Sequence, residues 1–363
     1  MDKKPTVQQK IESAFRHQVQ QDKKVKNAYL LVHSGKLDLD IRLAEGKTGE
    51  IQANVLQPNH LASVGKLFTA TVIGMLHDKG LLNFDDQIAQ YLDAELVNGL
   101  HVYKGREYSN DITIKQLLKQ TSGLNDVFFP LVKKMIADPG LEMTVREALH
   151  WGKSNLKPVG KPGQKHYYTD TNYYLLGLII EYITKKPFHE AVHEMIFEPL
   201  NMEHAYIHGY SEPRTNAPYP PANIYLLTIN LIENTRITKI DYAGGGVVAP
   251  LHEYLAFMKA LVQYRLVKEE TLTRMIHDDT GMGFPAVGFN YGYSIWKPKV
   301  IPLLQPEKFF CWGCVGITGA FMFYHPLTET SLIGTFNDQS YASKGLRFML
   351  TNVVKPLLKA EKP

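Results

Sequence analysis

A serine and a lysine three residues apart, at the start of an apolar segment, constrain this chain more than any other feature. Ser63 and Lys66 come directly before residues 67–76, which are almost all apolar. In a helix, residues three apart lie on one face about one turn apart, so the Lys66 ammonium can approach the Ser63 hydroxyl. A neighbouring positive charge eases loss of the hydroxyl proton and prepares the oxygen to attack a carbonyl. An all-round apolar run predicts a buried helix, which would hold the pair rigidly.

The same spacing occurs a second time, at Ser154 and Lys157. Pro158 and Gly160 follow it, and such residues are typical of a loop. The residue before a proline is also biased away from helix. We therefore expect the second pair to lie in a surface loop without the one-turn geometry. For Ser63, the alternative to a catalytic role is that its hydroxyl caps a core helix.

Two further motifs change the interpretation of the Ser63–Lys66 pair. Tyr168 and Asp170 follow a Pro-Gly turn and precede a long apolar segment. Residues 312–319 are glycine-rich and come before residues 321–324, which have the composition of a strand. The chain thus contains, in order, a Ser/Lys pair on a helix, a Tyr-x-Asp loop and a glycine-flanked strand.

In this order, the three motifs resemble those of the serine β-lactamase and penicillin-binding protein superfamily. The likeness is closest to the branch that contains class C β-lactamases, D-peptidases and related esterases. Further similar stretches follow the same order, at residues 80–92, 112–124, 243–248, 291–293 and 335–337. The resemblance covers most of the chain. It implies an α/β fold of the α+β type, the β-lactamase/transpeptidase-like fold.

Local patterns predict the same architecture. Val7, Ile11, Phe15 and Val19 recur every four residues, which predicts an N-terminal amphipathic helix. An apolar run at residues 29–33, a turn at residues 34–36 and then alternating apolar residues at 37, 39, 41 and 43 predict a hairpin. Further strands are predicted near residues 291–297, 317–324 and 330–336, and a helix closes the chain.

These elements predict two domains with the active site in the cleft between them. Residues 1–60 and 240–363 are expected to form a discontinuous α/β domain, in which helices from both ends of the chain flank one antiparallel sheet. Residues 61–239 are expected to form an inserted, mainly helical domain.

The resemblance implies acyl transfer through a covalent serine ester. Ser63 is then the nucleophile, Lys66 is held charged, and Tyr168 is the general base. A phenol that titrates near 10 can serve at neutral pH only if a neighbouring positive charge lowers its pKa. The family pattern places the oxyanion hole at the backbone N–H groups of Ser63 and Ile317.

The substrate is expected to contact Asp170, Cys314, Gly316 and Asn337. Two of these residues depart from the family pattern, which usually has Lys or His where this chain has Cys314, and Asn where it has Asp170. Both changes reduce the positive potential that would orient a substrate carboxylate, and an ionised Asp170 cannot donate a hydrogen bond. They disfavour β-lactams and peptides ending in D-alanine. They leave open neutral esters, and D-amino-acid amides whose ammonium approaches Asp170.

Composition excludes several other classes of protein. A net charge of +4 over 363 residues, without a long Lys/Arg run, does not predict nucleic-acid binding. No segment approaches the roughly 20 apolar residues of a membrane span, and none resembles a signal peptide. If Met1 is the native start, we expect a cytoplasmic protein. The expected partner is a small-molecule substrate, and the oligomeric state stays open.

The two cysteines, Cys311 and Cys314, have Cys-x-x-Cys spacing. A redox dithiol usually opens a helix, whereas these residues precede a strand. Two thiolates alone cannot complete a tetrahedral zinc site. We therefore expect no metal and no cofactor, and two reduced thiols of the kind usual in a cytoplasm.

The sequence thus predicts a serine hydrolase, most of all an esterase with weak or no β-lactamase activity. A D-amino-acid peptidase or amidase and a class C-type β-lactamase are the alternatives within the same chemistry. A non-catalytic relative that uses the cleft for binding or assembly is the alternative of another class. A conventional α/β-hydrolase is disfavoured, because no Gly-x-Ser-x-Gly sequence occurs in the chain.

Overall fold

The computed structural model describes residues 5–227, 229–284, 286–299 and 306–360. Met1, on which the expected cytoplasmic location rests, lies outside these ranges. Within them, no helix is both long enough and apolar enough to cross a membrane.

Strands from the two ends of the chain form one large antiparallel sheet. The strands of the described ranges are β1 Asn27–Ser34, β2 Leu39–Thr48, β3 Ile51–Gln52, β4 Pro58–His60, β5 Val102–Tyr103, β6 Arg106–Glu107, β7 Tyr206–Ile207, β8 Tyr225–Leu226, β9 Ile229–Asn230, β10 Val247–Pro250, β11 Thr280–Gly281, β12 Phe289–Tyr291, β13 Trp296–Pro298, β14 Trp312–Gly316, β15 Ala320–His325 and β16 Thr330–Thr335. The main sheet has the order β11-β12-β13-β14-β15-β16-β1-β2-β3, and β4, β10 and β7 form a small separate sheet.

Most of the α-helices lie between β4 and β11, and the others cover the two ends of the chain. The α-helices of the described ranges are α1 Val7–Gln21, α2 Gly65–Asp78, α3 Ala94–Val97, α4 Ile114–Leu118, α5 Phe128–Ala137, α6 Val145–Asn155, α7 Thr171–Thr184, α8 Phe188–Val192, α9 Thr235–Asp241, α10 Leu251–Val262, α11 Glu269–His277, α12 Lys344–Phe348 and α13 Lys355–Ala360. A π-helix, Met349–Val354, joins α12 to α13, and another, His193–Phe197, follows α8.

Strand β1 lies inside the sheet and is buried on both faces, which explains its continuous apolar sequence. Successive side chains of a strand point to opposite faces. Ala28, Leu30 and Val32 accordingly pack in one hydrophobic cluster with α1 and the C-terminal helices. Tyr29 and Leu31 pack in the larger cluster on the other face, with α2, α7 and α10. The sheet therefore separates two cores, and the larger one supports the segment that contains Ser63.

The predicted N-terminal helix and hairpin are confirmed. In α1, Ile11 and Phe15 are buried, with Val7 and Val19 packed against the same cluster. Thr6 accepts a hydrogen bond from the backbone of the first turn and forms a capping box there. Strands β1 and β2 pair from the turn outward along the hairpin.

Two predicted strands differ from the structure. Residues 291–297 form the ends of β12 and β13 joined by a tight turn, in which Ser294 has a positive φ of 64°. Residues 317–319 are a turn rather than part of a strand, because Gly319 has a φ of 74° and β15 begins at Ala320. The first turn donates from the Ser294 N–H to the Leu118 carbonyl, and the second places Gly319 against Tyr341.

Helices α2 and α7 form the rigid centre of the molecule. Nearly every residue of α2 is buried, and so are the first ten residues of α7. Buried helices of this kind cannot shift without opening the core, so groups at their first turns keep fixed relative positions.

The main sheet is built from residues in the predicted sheet segments, and α2 to α8 lie in the predicted helical segment. The division into two domains, 1–60 with 240–363 and 61–239, stays a prediction.

Candidate active site

Ser63 lies in a short 3-10 turn, Ala62–Val64, that runs directly into α2. Ala62 has a φ of 49°, in the left-handed region that costs a residue other than glycine about 1–3 kcal/mol. The buried ring of His60 stabilises this conformation, because its Nδ1 accepts a hydrogen bond from the Ala62 N–H at 3.0 Å. The turn therefore presents the half-buried Ser63 side chain from a fixed backbone.

The Lys66 ammonium lies among three hydrogen-bond acceptors. Its Nζ donates to Ser63 Oγ at 3.0 Å, to the Gly244 carbonyl at 2.5 Å and to the Asp170 carboxylate. An ammonium has three N–H donors and no acceptor, so these contacts use its full capacity. Lys66 is therefore held in its charged form. Since it donates to Ser63 Oγ, it cannot be the group that removes the Ser63 proton in the resting site.

The electrostatic surroundings of Lys66 favour the same charged state. Burial is the largest single effect and would lower the pKa of Lys66, but the combined effects of Asp170, Tyr168 and Asp241 outweigh it and raise the pKa well above its ordinary value. The Nζ also lies 5.2 Å from the ring centre of Tyr168 and 5.3 Å from that of Tyr173. Such distances are within the range of cation–π attraction.

Tyr168 lies beside Ser63 and Lys66, as the sequence predicted, but its pKa moves in the opposite direction. Burial raises the pKa of the phenol above its ordinary value of 10.0. The Lys66 charge lowers it without overcoming burial, and Asp170 adds to the rise. Tyr168 is therefore a neutral phenol at neutral pH rather than a phenolate. A neutral phenol can still relay a proton, because its hydroxyl both donates and accepts.

Gly316 and Ile317 place backbone next to the turn that contains Ser63. A Cβ on Gly316 would lie 2.3 Å from the Leu61 carbonyl oxygen, so a larger residue would push β14 away from that turn. Gly316, Ile317 and Ser63 line the same cavity. The oxyanion hole formed by the N–H groups of Ser63 and Ile317 is therefore geometrically reasonable, and it remains a proposal.

A cavity of about 520 Å³ opens above Ser63. Its wall is largely aromatic and contains Phe128, Phe129, Tyr167, Tyr168, Phe284 and Trp296. Among the described residues that line it, three are aspartates and none is a lysine or an arginine. His166 also lines the cavity. Burial lowers its pKa to about 4, so the ring is neutral at neutral pH and adds no positive charge. The described lining therefore has acidic side chains and no permanently charged basic one.

The aspartates of the cavity are Asp126, Asp170 and Asp241. Asp126 Oδ1 accepts hydrogen bonds from the Asp170 N–H at 2.8 Å and the Thr169 hydroxyl at 3.1 Å, and so fixes the start of α7. Burial and the Asp170 charge raise the pKa of Asp126 to about 6. Burial and Asp170 also raise the pKa of Asp241, to about 7, against the opposing effect of Lys66. The two acids therefore ionise close to neutral pH.

The structure does not support substrate contact by Cys314. Its side chain is fully buried, lies outside the cavity lining and donates a hydrogen bond from Sγ to the Ser63 carbonyl at 3.2 Å. Burial raises the pKa of the thiol to about 12, so it is uncharged. Cys314 thus packs behind Ser63. Strand β14 presents Val315 and Gly316 to the cavity instead.

The structure also does not support substrate binding by the side chain of Asn337. Its buried amide donates to Asn27 Oδ1 at 2.6 Å and to Asn59 Oδ1 at 3.0 Å, while its Oδ1 accepts from the Thr335 hydroxyl. A side chain occupied in this way connects β16 to β1 and β4 in the interior. It is absent from the residues that line the cavity.

The second Ser/Lys pair has no catalytic geometry, although Ser154 is not in a loop. Helix α6 continues through Ser154 and ends at Asn155, because the prolines and glycines act only beyond that point. Lys157 lies outside the helix, and both side chains are exposed. The surface location is as predicted.

Sequence reasoning missed His60, Asp126 and Asp241. His60 is close to Ser63 in the chain, and tertiary contacts bring Asp126 and Asp241 to the same cavity, but none of the three has a spacing that would single it out. Within the described ranges, no group of three or more His, Cys, Asp and Glu side chains is arranged to hold a metal ion.

Comparison with known proteins gives the family and the fold. A family model described as Beta-lactamase matches residues 11–351. Among curated proteins, protein flp of Staphylococcus aureus (strain MW2) is 28% identical over 208 residues, which is 54% of this chain and 38% of flp. The chain therefore spans well under half the length of that relative.

Two solved structures share the fold over nearly all of both chains. A D-stereospecific amidohydrolase from Streptomyces sp. has a TM-score of 0.73 at 23% identity, covering 95% of this chain and 97% of the other. The D-amino acid amidase from Ochrobactrum anthropi SV3, in complex with D-phenylalanine, has a TM-score of 0.77 at 17% identity, covering 98% and 99%. At these identities the likeness concerns the fold alone.

If Lys66 and Tyr168 share one proton-transfer step, their substitutions will not be additive. We expect Lys66→Ala and Tyr168→Phe each to lower kcat/KM for a p-nitrophenyl ester by about 10²–10⁴-fold, and the double variant to lose little more. Tyr167→Phe is the matched control, because this neighbouring phenol lines the same cavity but donates to Asn125. Losses that multiply in the double variant would show two independent roles.

Cys314 offers a test of the packing described above. Cys314→Ser should keep ester hydrolysis within a few-fold, since a hydroxyl can donate to the same carbonyl. Cys314→His should destabilise the protein by about 1–3 kcal/mol through overpacking, without shifting preference toward a carboxylate-bearing substrate such as nitrocefin. Melting curves and kcat/KM ratios for nitrocefin and an acetate ester measure both effects. A shift toward nitrocefin at an unchanged Tm would place residue 314 in contact with substrate.

Proposed function

Because this chain belongs to the beta-lactamase family, we propose that it is a serine hydrolase that forms a covalent acyl-enzyme at Ser63. The observation that carries the proposal is the saturated Lys66 ammonium, which donates to Ser63 Oγ while two other acceptors fix its position. A lysine that only stabilised the fold would not need to contact the Ser63 hydroxyl, which lines the cavity. The proposed substrates are carboxyl esters, and amides, whose acyl part is apolar and carries no carboxylate.

The proposed reaction follows from the charges in the site. Ser63 Oγ attacks the substrate carbonyl, and its proton passes to the Tyr168 oxygen while Tyr168 gives its own proton to the leaving group. The phenol thus stays neutral overall, which suits its raised pKa. The Lys66 ammonium stabilises negative charge that develops on Ser63 Oγ. Water then attacks the carbonyl of the acyl-enzyme. Its proton passes to the Tyr168 oxygen while Tyr168 gives its own proton to Ser63 Oγ, and the acid is released.

The cavity supports this choice of substrate. Aromatic side chains along its wall can bury an apolar acyl group, at about 25 cal/mol per Å² of apolar surface removed from water. A substrate carboxylate would face Asp126, Asp170 and Asp241 without a cation among the described lining residues. The site therefore disfavours β-lactams, all of which would bring a negative charge into this cavity.

The acidic lining also favours a second candidate. Amides and esters that carry a free ammonium would meet complementary charge in the same cavity, and the D-amino acid amidase of Ochrobactrum anthropi SV3 has the same fold. Such substrates use the same acyl-enzyme chemistry as neutral esters. The two candidate substrate classes differ only in whether the acyl part carries an ammonium group.

Labelling of the nucleophile tests the proposal. We expect a fluorophosphonate to modify Ser63 and a fluorescent penicillin to leave it unmodified, because the penicillin carboxylate is repelled by the cavity. Intact-mass and peptide mass spectrometry identify the site. Ser63→Ala should abolish the adduct, and Ser154→Ala, the matched control on the surface, should keep it.

The outcomes separate the possible functions. A penicillin adduct on Ser63 would indicate a β-lactamase or penicillin-binding protein. A correctly folded protein that gives no adduct with either reagent, and hydrolyses no ester, would be a non-catalytic relative.

Phe284 tests the apolar wall. Its side chain lines the cavity although it is 94% exposed, so an aromatic acyl group could cover it. We expect Phe284→Ala to raise KM about tenfold for a p-nitrophenyl 3-phenylpropanoate ester, through about 1–2 kcal/mol of lost burial, and to leave the acetate ester unchanged. Val287→Ala is the matched control, since this exposed residue of the same loop is not part of the lining. Equal effects on both esters would exclude Phe284 from acyl-group binding.

A further inference from the structure

Asp241 is a carboxylate of the cavity that the acyl-transfer geometry does not use. It ends helix α9, and its side chain is only 12% exposed. Among the described residues, none donates a hydrogen bond to its carboxylate, and the nearest charged or titratable nitrogen is His60 Nε2 at 3.7 Å from Oδ2. Buried carboxylates ordinarily have partners, so one that faces a cavity without them calls for a ligand.

His60 cannot balance the charge of Asp241. Its Nδ1 accepts the Ala62 N–H, so the ring proton is on Nε2, toward Asp241. Burial lowers the pKa of His60 to about 3, helped by neighbouring His208, and the ring stays neutral. Only a weak, long contact therefore links His60 to the carboxylate.

The charges around Asp241 leave it uncompensated. The charged or titratable groups that face it are His60, Lys66, Asp170 and Tyr174. His60 and Tyr174 are neutral, and the one ammonium, Lys66, is bound to Asp170. An ionised Asp241 is thus a second carboxylate beside a single cation. A positively charged ligand would complete the balance.

Asp241 also lies close to the site of the reaction. A Cβ on Gly245 would lie 2.6 Å from Asp241 Oδ2 and 2.9 Å from the Ala62 carbonyl carbon. Only the backbone of Gly245 thus separates the Asp241 carboxylate from the Ala62–Val64 turn, which contains Ser63. A group bound at Asp241 would lie in the same cavity as Ser63.

We propose that Asp241 is a specificity-determining residue that binds an ammonium group on the acyl part of the substrate. This inference rests on the proposed acyl-enzyme function and narrows its substrates to esters and amides of amino acids with a free amino group. The bond that breaks and the proton path stay as described above. The ammonium is held beside the reacting carbonyl and does not take part in the transfer.

The raised pKa of Asp241 gives the interaction a pH dependence. Because the pKa of this carboxyl in the free protein is about 7, the group is mostly protonated below that pH and charged above it. Affinity for an ammonium ligand should therefore increase as the pH rises toward neutrality. It should decrease again once an α-amino group, which titrates at about 7.7–8.0, loses its own proton.

Binding to a protein that cannot turn over its ligand tests the inference. In the Ser63→Ala background, calorimetry compares phenylalanine amide, as each enantiomer, with 3-phenylpropanamide, which lacks only the ammonium. Near neutral pH we expect Asp241→Asn to weaken binding of phenylalanine amide about tenfold, which is the usual size of a charge-assisted contact. Binding of 3-phenylpropanamide should not change.

Asp111→Asn is the matched control, because this exposed carboxylate lies outside the cavity lining. An unchanged Kd for phenylalanine amide in a folded Asp241→Asn variant would overturn the inference. It would also be overturned if neither enantiomer bound. Should Asp241→Asn not fold, the Ser63→Ala protein alone suffices: a Kd for phenylalanine amide that stays constant between about pH 5.5 and 7.5 would also overturn it. Absence of a Ser63 adduct in the labelling experiment would reject the hydrolase proposal without affecting this binding result.

Discussion

The buried Lys66 ammonium is the constraint on which the rest of the site depends. A charge in the interior costs several kcal/mol unless it is fully paired and hydrogen-bonded. Three segments distant in sequence provide the acceptors, namely the turn before α2, the first turn of α7 and the glycine-rich turn after α9. Helices α2 and α7 must therefore pack in one arrangement, and the same arrangement fixes Ser63 and Tyr168.

The charge on Lys66 also determines the chemistry available to its neighbours. An ammonium that already donates to Ser63 Oγ leaves the Ser63 proton to another acceptor, and Tyr168 is the adjacent one. Burial keeps Tyr168 neutral despite the nearby cation. A relay through a neutral phenol needs no stable phenolate, whereas general-base catalysis would need one. In the proposed reaction, Lys66 stabilises charge on Ser63 Oγ, and Tyr168 passes the proton on without becoming a buried phenolate.

Short-range patterns in the sequence were sufficient for much of this structure. The four-residue period of α1, the apolar run of β1 with the alternation of β2, and the spacing of Ser63 and Lys66 are each short-range, so ordinary helix and strand geometry was enough to interpret them. Asp241 and His60 could not be found in that way, because packing between α9 and β4 brings them together. The direction of the Cys314 side chain and the burial of Asn337 likewise depend on neighbouring elements, not on local spacing.

In the proposed enzyme, substrate choice depends on the balance of charges around Ser63 and Lys66. Asp170 pairs with Lys66 as a true ion pair, so the catalytic cation contributes little positive potential to the cavity. Cys314, which donates to the Ser63 carbonyl, is uncharged and adds no positive charge beside it. Asp126 and Asp241 are two further carboxyl groups in the lining of the same cavity. Among its described residues, the cavity lining therefore has three aspartates and no lysine or arginine, and we infer that this balance of charges, rather than the groups around Ser63 Oγ, sets the preference among substrates.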